Sequence, residues 1–363
     1  MTEHLTELKC EVRGQVGFIT LSRPRALNAL TLGMVRGLMQ QLLAWRDDPA
    51  VLAVAVRGSN KEGAFGAFCA GGDIRFLHQA GSAGDPRIED FFTEEYTLNH
   101  LIHCYPKPYI AFMDGIVMGG GMGISQGAAL RLVTERTKMA MPETAIGLFP
   151  DVGGGYFLSR CPGYTGEWLA LTGESIGVDT ALALGLADGR IALEAQAPLW
   201  EALGAQRFQN ADAVTALANS KMIATSAYQI SARALIDQYF SLASVGEIVA
   251  ALEAADGEWE QHTAATLRKR SPLMLGVVLE QIRRARGMDL AHDLRMERDM
   301  VRHCFYLRPG QSETLEGIRA LAVDKDHAPR WNPARIEDVT PEMVAPFFDS
   351  PWPAWAHPLS ALN

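Results

Sequence analysis

The feature that most constrains this chain is a strand, glycine turn and helix that occur in that order twice within its first 135 residues. VLAVAVRG (51–58) is a β-branched run that reads as a buried strand, and AFCAGGDI (67–74) follows as a glycine turn opening into a helix. KPYIAFMDGIVMGGG (107–121) repeats the pattern as a strand and a turn with a helix behind it, and ALRLVTE (129–135) returns as a strand. Strands joined to helices through short turns put the turn mouths on one side of a sheet, so the expected class is a layered α/β fold. Upstream, LKCEVRGQVGFITLSR (8–23) reads as a hairpin around Gly14 and Gln15. Pro24 breaks that sheet, and Val35, Leu38, Met39 and Leu42 at i, i+3, i+4 and i+7 predict a helix over 31–45. RIEDFFTEEYTLNHLIHC (87–104) predicts another.

After about residue 195 the β pattern fades. The remainder predicts helices and a proline-rich, docked tail, PFFDSPWPAWAHPLSALN. The expected organisation is a core over 1–200 and a helical region over 201–363. A hydrophobic share of 48% suits a large buried core. A net charge of −9 argues against nucleic acid or an anionic membrane as partner, and no apolar run is long enough to span a bilayer. The five cysteines (Cys10, Cys69, Cys104, Cys161 and Cys304) form no CxxC pair and read as reduced thiols of an intracellular protein. The start carries Glu3 and Glu7 and lacks the apolar run of a secretory signal. The expected compartment is the cytoplasm, or the mitochondrial matrix if a leader has been removed. Neither HExxH nor a Cys/His cluster points to a metal.

MGGGMGISQG (118–127) holds two competing readings. GISQG fits G-x-S-x-G, the nucleophile elbow of serine hydrolases, with Ser125 as the attacking group. An elbow needs the strand to run straight into the pattern. Here the strand ends near Val117 or Met118, which puts Ser125 about one turn inside the next helix as a small packing residue. A dinucleotide fingerprint fails, because the third glycine would fall on Ile124 or Gln126. Cys69 has no His at useful spacing and reads as a small buried residue. The glycines themselves support the other reading. CAGGD (69–73) and MGGGMG (118–123) can each offer backbone N–H groups with no Cβ in the way. Two such groups aimed at one point polarise an acyl carbonyl and hold its enolate or tetrahedral oxyanion.

AFCAGGDIR, MGGGMGIS and MAMPETAIGLFPDVGGGYFLSR resemble the enoyl-CoA hydratase/isomerase (crotonase) superfamily. The run PETAIGLFPDVGGGYFL is similar to its 3-hydroxyisobutyryl-CoA hydrolase branch, as are SRPRALNALTLGMV, EEYTLNHLI and LEGIRALAVDKDHAPRWNP. The resemblance covers about residues 10–345. It implies a crotonase-like spiral of ββα units with a mostly helical C-terminal extension. The activity it implies is hydrolysis of a 3-hydroxyacyl-CoA thioester, with 3-hydroxyisobutyryl-CoA of valine catabolism first among substrates. Coenzyme A would arrive as part of the substrate, and no separate cofactor is implied. A homo-oligomer stays open, since such proteins often form trimers or hexamers and a helical extension would replace or block that contact.

The resemblance also assigns roles. Gly72 and Gly120 would supply the oxyanion N–H groups. Glu143, after Pro142, would be the acid that does the chemistry, as nucleophile or as general base, and Asp151 would orient substrate or water and relay a proton. Glu95 would contact the 3-hydroxyl side, and Asp73, Ile74 and Arg75 would line the coenzyme A side. Hydratases of this superfamily place a second Glu three residues after the oxyanion glycine. That position is Gly123 here, which argues against two-Glu hydration. Judged by local pattern alone, Glu143 faces solvent or caps, Asp151 caps the helix near GGYFLSR, and Glu95 is a solvated helix residue. Three other functions stay open at this level: hydration or isomerisation on the same scaffold, serine hydrolysis through Ser125, and a non-catalytic acyl-CoA-binding subunit.

Overall fold

The computed structural model describes residues 7–225 and 228–363. The hairpin forms as expected. β1 (Leu8–Arg13) and β2 (Val16–Leu21) pair antiparallel around Gly14, whose φ of +58° suits a residue without Cβ. α1 (Leu32–Asp47) starts behind Thr31, whose hydroxyl accepts the Met34 N–H at 3.1 Å. β3 (Ala53–Arg57), β4 (Tyr109–Met113), β5 (Leu130–Val133) and β6 (Gly189–Ile191) then join in parallel, and β7 (Met222–Ile223) closes the far edge antiparallel. The spatial order of these seven strands is their order in the sequence.

Both faces of the sheet are covered, which is why its central strands read as continuous apolar runs. Val16, Phe18, Ala53, Ala55, Ile110, Phe112, Leu130 and Leu132 alternate onto one face, where Trp200 and Leu203 pack on them. Trp200 meets Phe18 edge-on at 4.7 Å between ring centres. Gly17 lies between two of these positions on β2. A Cβ there would come within 2.5 Å of the Trp45 ring, so only glycine lets α1 approach so closely.

The sequence predicts one strand and a turn over 107–121, and the structure breaks that strand in two. β4 stops at Met113, and a separate strand, Ile116–Met118, pairs with Lys138–Ala140 in its own small sheet. The cause lies at Asp114-Gly115. Asp114 is buried and accepts from the Gly66 N–H at 2.7 Å, the Thr134 hydroxyl at 2.7 Å and the Arg136 guanidinium. Gly115 takes φ +70°, and a Cβ there would sit 2.2 Å from the Gly66 carbonyl oxygen.

Two compact units divide the chain. One combines residues 1–72, 97–139 and 176–229; the other combines 73–96, 140–175 and 230–363. This cut crosses the chain several times and differs from the single boundary near residue 200 expected from the sequence. The first unit holds the seven-stranded sheet. The second is built from helices, as the fading β pattern predicts for its C-terminal part. It includes α2 (Ile74–Ala83) and the start of α3 (Arg87–His103). In its tail Leu359 and His357 are buried, and His357 Nε2 lies 3.2 Å from Asp299 Oδ1. No helix among the described residues is long and apolar enough to cross a membrane.

Candidate active site

The two glycine turns lie side by side in the first unit. Cys69 bridges Val117 in parallel, with the Met118 N–H donating to the Cys69 carbonyl at 2.9 Å and the Cys69 N–H to the Ile116 carbonyl at 3.0 Å. Leu30 bridges Gly72 on the other side. The three glycines of MGGG divide the work. Gly119 makes the turn at φ +49°, ψ −122°, and Gly120 opens α4 (Gly120–Gln126). Gly121 lets α4 pass over the other turn, since a Cβ there would sit 2.3 Å from the Cys69 carbonyl oxygen. Across the gap Gly71 takes φ +108°, and its Cβ position is 3.6 Å from the Gly120 nitrogen. Among the described residues neither the Gly72 nor the Gly120 N–H donates to a loop or turn carbonyl. The first N–H groups of a helix have no partner within it, so Gly120 keeps a donor to offer.

Ser125 is no nucleophile. It is fully buried inside α4, and its hydroxyl donates to the Gly121 carbonyl at 2.8 Å and lies 3.2 Å from that of Met122. Cys69 is equally buried, with Sγ 3.2 Å from the Asn28 carbonyl oxygen.

The acids gather in the second unit. Glu143 opens a 3₁₀ turn, Glu143–Ile146, that pulls it out of solvent, contrary to the local reading. Its Oε2 is buried without a hydrogen-bond partner. Burial, then the charge of Asp151, pushes its carboxyl well above the usual range. Glu95 sits on the inward side of α3 at 2% exposure, so it is not the solvated residue that its neighbours Glu94 and Tyr96 suggest. Its Oε1 is also unpartnered, and burial, then Asp151, raises its pKa. Asp151 is buried, accepts the Tyr96 hydroxyl at 3.0 Å, and is pushed by burial to about 7. It does not cap α5 (Gly154–Leu158). Gly153 holds the cap position and makes no side-chain cap, while Glu297 and Asp293 of a distant helix accept the N–H groups of Gly153, Gly155 and Tyr156. Asp151 is thereby left for other work.

Three buried carboxyls with no cation beside them among the described residues are expensive to ionise, and groups of this kind concentrate at functional sites. Sequence reasoning missed Tyr96, Asp293 and Glu297. Asp293 and Glu297 stand at i and i+4 in LAHDLRMERDM, a spacing that puts both on one face of a helix, but nothing local says what they meet. On the expected coenzyme A side, Asp73 caps α2 by accepting the Phe76 N–H at 3.4 Å, and Ile74 begins that helix. Arg75 is exposed and lines an open groove of about 420 Å³ with His78, Gln79 and Lys325.

The sequence profile of the enoyl-CoA hydratase/isomerase family matches residues 16–348. The chain belongs to this family. Within it, the chain is 40% identical to the mitochondrial 3-hydroxyisobutyryl-CoA hydrolase of Xenopus tropicalis, over 93% of this chain and 87% of that protein. It is 37% identical to the probable 3-hydroxyisobutyryl-CoA hydrolase 3 of Arabidopsis thaliana, over 95% and 92%. Among solved family structures, the carnitinyl-CoA dehydratase of Mycobacterium thermoresistibile superposes with a TM-score of 0.86 at 37% identity, over 94% of this chain and 96% of that one. An enoyl-CoA hydratase of Rhodobacter sphaeroides gives 0.82 at 37% identity, over 95% and 98%. The crotonase fold expected from the motifs is therefore the fold of this chain.

Proposed function

We propose that this protein hydrolyses 3-hydroxyacyl-CoA thioesters, with 3-hydroxyisobutyryl-CoA as its best substrate. The observation that carries the reading is the buried trio Glu95, Glu143 and Asp151, taken together with the sequence's glycine at 123, where a hydratase needs its second Glu. The hydrolase relatives at 37–40% identity over most of the chain support it. In this reading the N–H groups of Gly72 and Gly120 receive the thioester carbonyl oxygen and stabilise the charge that grows on it. Glu143 acts by one of two routes. As nucleophile it adds to the carbonyl carbon, coenzyme A leaves as thiolate, and water cleaves the resulting mixed anhydride. As general base it takes a proton from the attacking water, and the same C–S bond breaks. Asp151, held by Tyr96, orients the substrate or water and passes a proton toward the leaving thiolate. Glu95 accepts the 3-hydroxyl of the acyl group. Asp73, Ile74 and Arg75 serve the coenzyme A portion.

The deciding test mixes purified protein with 3-hydroxyisobutyryl-CoA and, separately, with crotonyl-CoA. A thiol reagent follows free coenzyme A while absorbance follows the enoyl double bond. Fast thiol release from the first substrate, with crotonyl-CoA unchanged, is expected. A changing enoyl band without thiol would establish hydration or isomerisation instead. Ligand-induced stabilisation with neither signal would mark a binding subunit.

A further inference from the structure

Asp151 stands in a turn that distant helices hold in place. Val152 takes φ +57°, a rare conformation for a β-branched residue, and Gly153 takes φ +87°. Such a turn persists only where its surroundings impose it. Here two helices of the same unit do so: α6 (Pro272–Ala285) and α7 (Leu290–Tyr306). Glu297 of α7 accepts the Gly153 N–H on one oxygen at 2.8 Å and the Gly155 N–H on the other at 2.9 Å. Asp293, one turn earlier, accepts the Tyr156 N–H at 2.9 Å. Gln281 of α6 donates to the Pro150 carbonyl at 2.7 Å and to Glu297 at 3.3 Å. All three side chains are fully buried. The fit leaves no slack, for a Cβ on Gly155 would sit 2.3 Å from Asp293 Oδ1.

These contacts grip the backbone immediately before and after Asp151 and leave its carboxyl to Tyr96. Capping a five-residue helix does not require them, because a local Ser, Thr or Asp side chain would serve without burying two acids. What the arrangement achieves is a fixed direction for the Asp151 side chain. We propose that Glu297 is a positioning residue for thioester hydrolysis: its carboxylate, with Gln281 beside it, locks the 150–156 turn and so aims Asp151. The proposal rests on the role given to Asp151 above.

Glu297→Gln tests it at constant size. The amide offers one acceptor where two N–H groups point, so either Gly153 or Gly155 loses its partner. Misaiming a catalytic group is expected to lower kcat about 30-fold, with KM changed less than about threefold, since Glu297 is fully buried and spends both oxygens on the turn backbone. If Glu297 acts through Asp151, the double variant Asp151→Asn/Glu297→Gln is no slower than Asp151→Asn alone. A Glu297→Gln protein that melts earlier but keeps its kcat within twofold would overturn the proposal, as would a double variant in which the two losses multiply. Should Glu297→Gln fail to fold, Gln281→Met removes the ties to Pro150 and to Glu297 and leaves the two Glu297 bonds to the turn in place. It is expected to lower kcat about fivefold with the same non-additivity, and an unchanged kcat there overturns the proposal. Full activity in Asp151→Asn would refute the role of Asp151 and the positioning role with it. A slow Asp151→Asn beside a normal Glu297→Gln would refute only the second.

Discussion

The glycine turns and the acid cluster solve opposite problems. The turns recruit the backbone: their donors are peptide N–H groups, which do not titrate, and their geometry comes from what is missing, as at Gly119 and Gly121. The acid cluster recruits side chains that burial makes costly to charge, so Glu95, Glu143 and Asp151 all lie above their ordinary pKa. The first arrangement is insensitive to pH and intolerant of a methyl group. The second responds to pH, because each of its carboxyls can take up or lose a proton. A reaction that needs both a fixed electrostatic cradle and a movable proton is served by dividing the labour in this way.

Removing the acid proposed to react should separate the two most sharply. Glu143→Gln keeps the size of the side chain and is expected to lower kcat for thiol release by at least about a thousandfold, while circular dichroism stays unchanged. Near-normal turnover would move the chemistry elsewhere. Gly121→Ala attacks the turns instead. The new methyl must displace the Cys69 carbonyl oxygen, 2.3 Å away, which shifts the Gly120 N–H. An oxyanion donor lost in this way typically costs on the order of a hundredfold in kcat. A variant that is merely less stable, with the turnover of its folded fraction intact, would show that the cradle does not depend on this contact.

The smallest effect is on stability and singles out Asp151. Its pKa of about 7 lies above the ordinary 3.8, so the folded state holds that proton more tightly than the unfolded state. The protonated carboxyl is favourable at low pH, and this contribution is lost as pH rises through about 7. Asp151→Asn cannot ionise, so its Tm relative to the parent should rise between pH 5 and pH 8, by on the order of 5 °C. Parallel melting curves across that range would show that the buried acid carries no such cost.

The sequence and the structure agree where the determinants are local. The hairpin at Gly14, the helix behind Pro24 and the two glycine turns are all legible because a few neighbouring residues decide them. The strand break at Asp114-Gly115 is not, because its cause is Gly66, some fifty residues away. Nor is the burial of Glu95 and Glu143, which depends on what packs around them rather than on their neighbours in sequence. The Asp151 cap fails for a related reason. A local rule proposes the nearest acid, whereas the partner of Gly153 is Glu297, 144 residues downstream. Family motifs singled out Glu95, Glu143 and Asp151 where local patterns could not, but they left out Tyr96, Asp293 and Glu297, which bond to Asp151 or to the turn that carries it.

That long reach also sets an order in time. On the ribosome the seven strands emerge in the sequence in which they pair, and β7 is complete by Ile223. The turn around Asp151 emerges earlier still, yet its backbone N–H groups find their acceptors only when α7 has been made, within the last seventy-five residues of the chain. A nascent chain that stops before residue 290 therefore has all seven strands but lacks the side chains that accept the N–H groups of Gly153, Gly155 and Tyr156. The turn that carries Asp151 is thus the part of the fold whose last hydrogen bonds wait longest for their acceptors.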